Sequence, residues 1–128
     1  MKDVIRTESA SAPFQGAPYS QAIKANGFVF VSGQLSLKPD HAEILGDDVT
    51  AQTEQVFVNL RAILEAAGSG LDRLVKTTVF LQDFGDFAAM NEVYARHVGD
   101  APPARSTVEI SKLPSGALVE IEAIALAD

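Results

Sequence analysis

Cysteine is absent from the 128 residues of this sequence. Its absence excludes disulfide bridges, thiolate zinc sites and cysteine nucleophiles, and it is compatible with a reducing compartment without proving one. The segment 1–14 lacks the apolar core of a signal peptide, and no uncharged apolar run approaches the ~20 residues that a membrane-spanning helix needs. We therefore expect a soluble protein located in the cytoplasm, without membrane partners.

Basic residues are scarce: 10 Lys and Arg stand against 17 Asp and Glu, which gives a net charge of −7. An acidic chain repels phosphate backbones overall, and no cluster of Lys or Arg interleaved with aromatic residues is present. Nucleic acid is therefore not expected as the main partner. The two histidines have no carboxylates at metal-ligand spacing, so no metal site is expected either.

The length and composition fit one globular domain. With 47% hydrophobic and 21% charged residues the chain is not a disordered segment, and no internal repeat is visible. A domain of this size buries roughly 70% of the surface of its unfolded chain, which is enough for a core without disulfides. We expect a single domain over residues 1–128.

Apolar residues recur at helical spacing in two places. The first helix is followed by Gly68 as a C-terminal stop, and the second has Asp86 as a potential N-cap and ends before Gly99. The residues that share a face are Val56, Leu60, Ile63, Leu64 and Ala67 in the first helix, and Phe87, Met90, Asn91, Tyr94 and Val98 in the second.

Runs rich in β-branched residues indicate strands between and around the helices. Asn26 and Gly27 separate two such runs and predict a hairpin, whereas the first twenty residues have the composition of a loop. A buried strand is expected at 74–81, and two more at 106–110 and 117–126. Strands that alternate with helices suggest an α/β or α+β layer, and we predict α+β, a mixed sheet with two helices on one face.

Alternation along the last two strands separates their faces. Val119, Ile121, Ala123 and Ala125 form an apolar face of the last strand, opposite a face with two acids. If the more apolar residues of both strands face the helices, Arg105, Thr107 and Glu120 share the opposite side. A mixed face of this kind is typical of an interface or cleft, but also of a solvated surface with an Arg–Glu salt bridge. Composition alone favours the solvated surface.

Several segments, in order, resemble the RidA/YjgF family of reactive-intermediate deaminases over nearly the whole chain. The resemblance implies a chorismate-mutase-like α+β fold and a homotrimer with a central barrel and active sites between subunits. It also implies hydrolysis of 2-imino and 2-amino-2-alkenoic acids, without a cofactor, to 2-keto acids and ammonia. The segments are PYSQA (18–22), VSGQ (31–34), EAAGS (65–69), VKTTVFLQD (75–83), MNEVY (90–94) and PPARSTVEISKLPSGALVEIEAIA (102–125).

The resemblance also assigns roles to single residues. Arg105 corresponds to the family arginine that grips the substrate carboxylate, and its planar fork suits a carboxylate better than a lysine does. Glu120 corresponds to the glutamate that positions the attacking water, and Tyr19 to a tyrosine that lines the cleft and can donate a hydrogen bond. The predicted catalytic residues are thus Glu120, Arg105 and Tyr19. The residues implied in substrate binding are Arg105, Thr107, Ser32, Gly33 and Asn91.

Two positions depart from the family pattern. Thr107 stands where many deaminases of the family have cysteine, and Ala17 replaces the glycine of a Gly-Pro-Tyr motif. Because imine hydrolysis requires water and not a thiol, we expect the threonine to be a mild change.

The residues alone leave several alternatives open. Glu122 lies on the same predicted face as Glu120 and could exchange roles with it, and Arg105 could form a structural ion pair with either acid. Tyr19 could be a core aromatic residue, and Asn91 a helix residue that is satisfied locally. For the whole chain the alternatives are a non-catalytic ligand-binding or regulatory module in the same clefts and, third, a ribonuclease or translation inhibitor.

Overall fold

A six-stranded mixed sheet and two long helices form the framework of the chain, in a computed structural model that describes residues 1–128. The strand order is β1-β2-β3-β6-β4-β5, and only the pair β4–β5 is parallel. This arrangement confirms the predicted α+β class. The elements are β1 (Asp3–Ile5), β2 (Ala22–Ala25), β3 (Phe28–Gln34), α1 (Val49–Ala66), β4 (Leu74–Leu81), α2 (Phe87–Val98), β5 (Ala104–Glu109) and β6 (Val119–Leu126).

The first hairpin matches its prediction, but the strand before it does not. Asn26 and Gly27 have φ angles of 54° and 85°, the positive values that a tight turn of this kind requires, and they join β2 to β3. The expectation of a loop over the first twenty residues is wrong at β1, which pairs with β2. Three residues at the edge of a sheet are too few to show an alternating pattern.

The apolar faces predicted for both helices are confirmed, and their N-terminal caps refine the prediction. Asp48 caps α1 by accepting a hydrogen bond of 2.9 Å from the N–H of Ala51, so the helix begins before its apolar pattern does. Gly68, at φ 78°, follows its end as expected. Asp86 occupies the N-cap position of α2, but its side chain makes no capping bond.

The helices pack on the apolar face of β6 that the sequence indicates. Side chains of β6 alternate between buried and less buried, and α1 contacts both β3 and β6. The helix–sheet core consists largely of aliphatic residues with one buried phenylalanine. Its largest fully buried members are Phe57, Leu60, Ile63, Leu64, Leu81, Met90 and Ile121. Neither α1 nor α2 combines the length and the apolar content that a membrane-spanning helix requires.

The orientation expected for β5 is wrong. Thr77 and Val79 of β4 are buried toward the helices, and the register pairs them with Arg105 and Thr107. Residues paired across strands share a face, so both β5 side chains lie on the helix side, opposite to Glu120. Because β5 is an edge strand with little helical cover, hydrophobicity does not sort its faces.

Candidate functional site

Arg105 lies in a half-buried position between β5 and α2. Its guanidinium carbon is 4.6 Å from the ring centroid of Tyr94 and 5.6 Å from that of Phe87. One terminal N–H donates a hydrogen bond of 2.8 Å to Oδ1 of Asn91. No carboxylate of the chain pairs with this cation, so the structural ion pair with Glu120 or Glu122 is not formed. Asn91 is accordingly bound to Arg105 rather than satisfied within its own helix.

The guanidinium of Arg105 opens into a surface cleft of about 340 Å³. Asn91 and Tyr94 form the helix side of this cleft, and Pro102 and Pro103 form its other wall. The cleft therefore presents a cation with unused N–H donors to solvent, a suitable arrangement for a carboxylate ligand.

Thr107 lies two residues further along the helix side of β5. Its hydroxyl group is buried and has no hydrogen-bond partner in the chain. Buried polar groups are usually hydrogen-bonded, which makes this hydroxyl an exception that calls for an explanation.

Glu120 lies half-buried on the face of the sheet that the helices do not cover, and its carboxylate has no hydrogen-bond partner in the chain. Burial, and secondarily the charge of Glu122, raise the pKa of Glu120 above its usual value. A carboxylate with a raised pKa is a stronger proton acceptor than a solvent-exposed one.

Gly33 allows the side chain of Glu120 to lie against the backbone of β3. A Cβ atom at residue 33 would be 1.9 Å from Oε2 and 2.9 Å from Cδ of Glu120. The β3–β6 register shifts between Val31 and Gln34, and this irregularity contains Ser32 and Gly33. A side chain at residue 33 would therefore displace the Glu120 carboxylate, and only glycine allows this close approach.

Ser32 and Tyr19 border the same region from the β2 side. The hydroxyl of Ser32 donates a hydrogen bond of 2.6 Å to the carbonyl of Ser20. The hydroxyl of Tyr19 accepts one of 2.6 Å from the N–H of Phe14, and its side chain is 43% exposed, so it is not a core residue. Tyr19 and Gly33 line a common small cavity.

The structure therefore divides the predicted site residues into two groups. The arginine group, Arg105, Asn91 and Thr107, lies on the helix side of the sheet around β5. The glutamate group, Glu120 with Gly33, Ser32 and Tyr19, lies around the β3–β6 pairing. A single chain does not bring the two groups together.

Sequence reasoning missed the residues that hold Arg105. Tyr94 and Phe87 lie on the predicted apolar face of α2, and that spacing indicated core packing alone. The contact with an arginine follows from the β5 orientation, which the sequence did not reveal.

His97, in the last turn of α2, makes contacts within the chain that are structural. His97 is hydrogen-bonded to Glu54 and stacks on the ring of Phe57 with 4.6 Å between centroids. The hydrogen bond with His97 holds the pKa of Glu54 below its usual value. No group of three or more His, Asp or Glu side chains is placed to hold a metal ion.

The fold and the two residue groups define a small α+β protein with a half-buried arginine that has no anionic partner and a half-buried glutamate. Residues 9–127 match the family described as Endoribonuclease L-PSP. The chain is 54% identical over 125 residues to a RutC family protein of Pyrococcus horikoshii, and the match covers 98% of each chain. The chain thus belongs to this family, which confirms the RidA/YjgF resemblance.

Two further similarities are informative about chemistry. The chain is 47% identical to Reactive Intermediate Deaminase A, chloroplastic, of Arabidopsis thaliana, over 97% of this chain and 65% of that protein. Among solved structures, E. coli TdcF with bound serine aligns with a TM-score of 0.89 and 37% identity, over 98% of this chain and 99% of that one.

Proposed function

We propose that the chain is a hydrolytic deaminase that converts 2-imino and 2-amino-2-alkenoic acids, such as 2-iminopropanoate and 2-iminobutanoate, into 2-keto acids and ammonia. The observation that carries this proposal is the half-buried guanidinium of Arg105, which has no anionic partner in the chain. Such a cation fits a carboxylate supplied by a ligand. The similarity to the Arabidopsis deaminase supports the same reaction class.

The reaction requires binding of the substrate carboxylate, placement of a water molecule and transfer of protons. The arginine group and the glutamate group together would perform these functions. Arg105 binds the carboxylate, and Glu120 accepts a proton from a water molecule as that water adds to the electrophilic C=N carbon. That proton passes to the nitrogen and gives a carbinolamine. The proton of its hydroxyl group is then transferred to the amino group as the C–N bond breaks, so that ammonia leaves and the C=O bond of the 2-keto acid forms. The raised pKa of Glu120 favours uptake of the proton from water.

The site would be completed between chains of a homotrimer with a central barrel. The helix-free face of the sheet exposes Phe30, Val108 and Leu126 by 43%, 41% and 43%. A monomer would leave these apolar side chains exposed to water, whereas an interface between subunits would bury them. A second copy would also bring its glutamate group to the arginine group of the first.

We expect light scattering at micromolar concentration to report three times the chain mass of 13.6 kDa. The physical reason is the apolar surface on the helix-free face. A stable monomer under these conditions would contradict both the trimer and the site between subunits.

The direct test of the proposed function is release of ammonia and 2-keto acid from freshly generated 2-iminobutanoate, compared with spontaneous hydrolysis. Acceleration by the wild-type chain supports the deaminase. Rates equal to those without protein would leave binding as the function.

The alternative is a small-ligand-binding or regulatory module in the same clefts. The serine bound to E. coli TdcF favours this alternative because serine carries a carboxylate but no imine. Calorimetry with serine, beside the turnover assay, separates the two: binding without turnover indicates the module. A ribonuclease is the third candidate, suggested by the family description and opposed by the net charge of −7.

Thr107→Val should leave the chain folded and active, and Thr107→Cys should change little. Activity should persist because water, and not residue 107, attacks the imine. Burial of the hydroxyl without a hydrogen-bond partner destabilises the fold by roughly 1–3 kcal/mol, so valine should raise the free energy of unfolding by about 1 kcal/mol. The measurements are kcat/KM and the melting temperature. Loss of turnover in a stable Thr107→Val variant would show that the hydroxyl binds substrate.

Gly33→Ala should preserve stability and oligomeric state while lowering kcat about tenfold, a part of the roughly 10²–10⁴-fold contribution of a positioned acid–base group. The added Cβ overlaps the carboxylate of Glu120, the mobile end of a side chain that can move aside at little cost. Kinetics and melting temperature check this result. Gly116→Ala is the control variant. An added Cβ at Gly116 meets no atom within 4 Å, but φ is 75°, so this substitution strains the backbone without displacing a neighbouring side chain. Equal kcat in wild type and Gly33→Ala would show that catalysis does not depend on the position of the Glu120 carboxylate.

A further inference from the structure

The ring of Tyr94 is held in place by a hydrogen bond as well as by packing. Its hydroxyl is 2.6 Å from the hydroxyl of Thr77 in a buried hydrogen bond. The ring of Phe57 packs edge-on against it, with 5.5 Å between centroids and an interplanar angle of 79°. Hydrogen bond and edge contact together fix both the position and the tilt of the Tyr94 ring.

The guanidinium of Arg105 lies over this fixed ring. A cation above an aromatic face within ~6 Å is attracted by the ring quadrupole, and a planar guanidinium also stacks on the ring. The bond to Asn91 then fixes rotation of the guanidinium within its own plane. Two contacts of different kinds therefore determine the direction of the remaining N–H donors.

We propose that Tyr94, anchored by Thr77, is a positioning residue that orients the Arg105 fork for bidentate binding of the substrate carboxylate. This inference rests on the proposed function for its ligand but not for its geometry. A free arginine side chain has many rotamers, and a preorganised fork loses less freedom when it binds.

The hydroxyl of Tyr94 serves the ring and not the ligand. Burial raises the pKa of Tyr94, so the phenol stays neutral near pH 7, although Thr77 and Arg105 act in the opposite direction. A phenolate would pair with Arg105 and compete with an external carboxylate. The neutral phenol leaves the guanidinium available for the substrate.

The geometric test is ¹⁵N relaxation of the Arg105 Nε–H group. We expect a restricted Nε–H in wild type, increased mobility in Tyr94→Leu, and an intermediate result in Tyr94→Phe, which keeps the ring face but loses the bond to Thr77. Thr77→Val, which removes only the ring anchor, should give an intermediate result and serves if Tyr94→Leu does not fold. Arg61, an exposed arginine of α1, is the internal control and should not change. Unchanged Arg105 mobility in Tyr94→Leu, or in Thr77→Val where that variant replaces it, overturns the inference.

The kinetic test separates positioning from stability. Tyr94→Leu should raise KM for 2-iminobutanoate about tenfold with kcat within about twofold, because the carboxylate contact is made equally in the ground and transition states. The same substitution should have no further effect on KM in an Arg105→Ala background, whereas a general structural defect would add to it. If wild type does not turn over the imine, the proposed function fails and the relaxation experiment still decides the positioning role.

Discussion

Arg105→Lys is expected to lower kcat/KM nearly as much as Arg105→Ala. Lysine keeps the positive charge but loses the planar fork, the stacking on Tyr94 and the parallel pair of N–H bonds. A hydrogen bond to a charged group contributes roughly 1.5–3 kcal/mol, so the loss of one should lower kcat/KM by about one to two orders of magnitude. The measurement is kcat/KM for 2-iminobutanoate, beside the melting temperature, for wild type and both variants.

The controls for Arg105 distinguish a clamp from a structural cation. Arg61→Lys, at an exposed position on α1, should leave both kinetics and stability unchanged. Full activity in Arg105→Lys would refute the carboxylate clamp. A loss in Arg105→Ala that is explained entirely by unfolding would do the same.

Glu120→Gln should retain the fold and ligand binding but depress kcat by about 10²–10⁴-fold, the contribution typical of a positioned acid–base group. The amide preserves the shape beside Gly33 and removes the proton acceptor. Single-turnover kinetics and calorimetric binding of a 2-keto acid separate the chemical step from binding. Normal turnover in Glu120→Gln would assign the proton transfer elsewhere.

Glu122→Gln is the matched control, because the two acids lie on one face of β6. This variant should remain active, but its pH profile should move. The charge of Glu122 helps to raise the pKa of Glu120, so its removal lowers that pKa and shifts the acid limb of kcat to lower pH. An inactive Glu122→Gln with an active Glu120→Gln would mean that the two acids have exchanged roles.

The parts of the fold that the sequence predicts are those with many buried residues in a regular period. The α1 face and the alternation of β6 meet this condition, since one side of each packs into the core. The edge strands do not. β1 is too short to show a period, and the half-exposed β5 has no consistently buried side from which its orientation could be inferred.

Only part of the candidate site can be predicted from the sequence. Motifs identify Arg105, Glu120 and their neighbours, and a glycine inside a strand, such as Gly33, indicates a close backbone approach. The support for Arg105 by Tyr94 is not accessible, because an aromatic residue at helical spacing has the same pattern whether it meets aliphatic side chains or a guanidinium. Contacts between distant elements decide such cases, and periodicity reports only which side of an element is covered.

The division of the site residues between two regions of the chain has a genetic consequence. In the proposed trimer, each subunit gives its arginine group to one cleft and its glutamate group to another. A subunit damaged in both groups therefore inactivates both clefts that it helps to build, even when its neighbours are intact. Two alleles damaged in different groups complement one another when they are expressed together, because undamaged halves meet in mixed trimers. Two alleles damaged in the same group cannot do so.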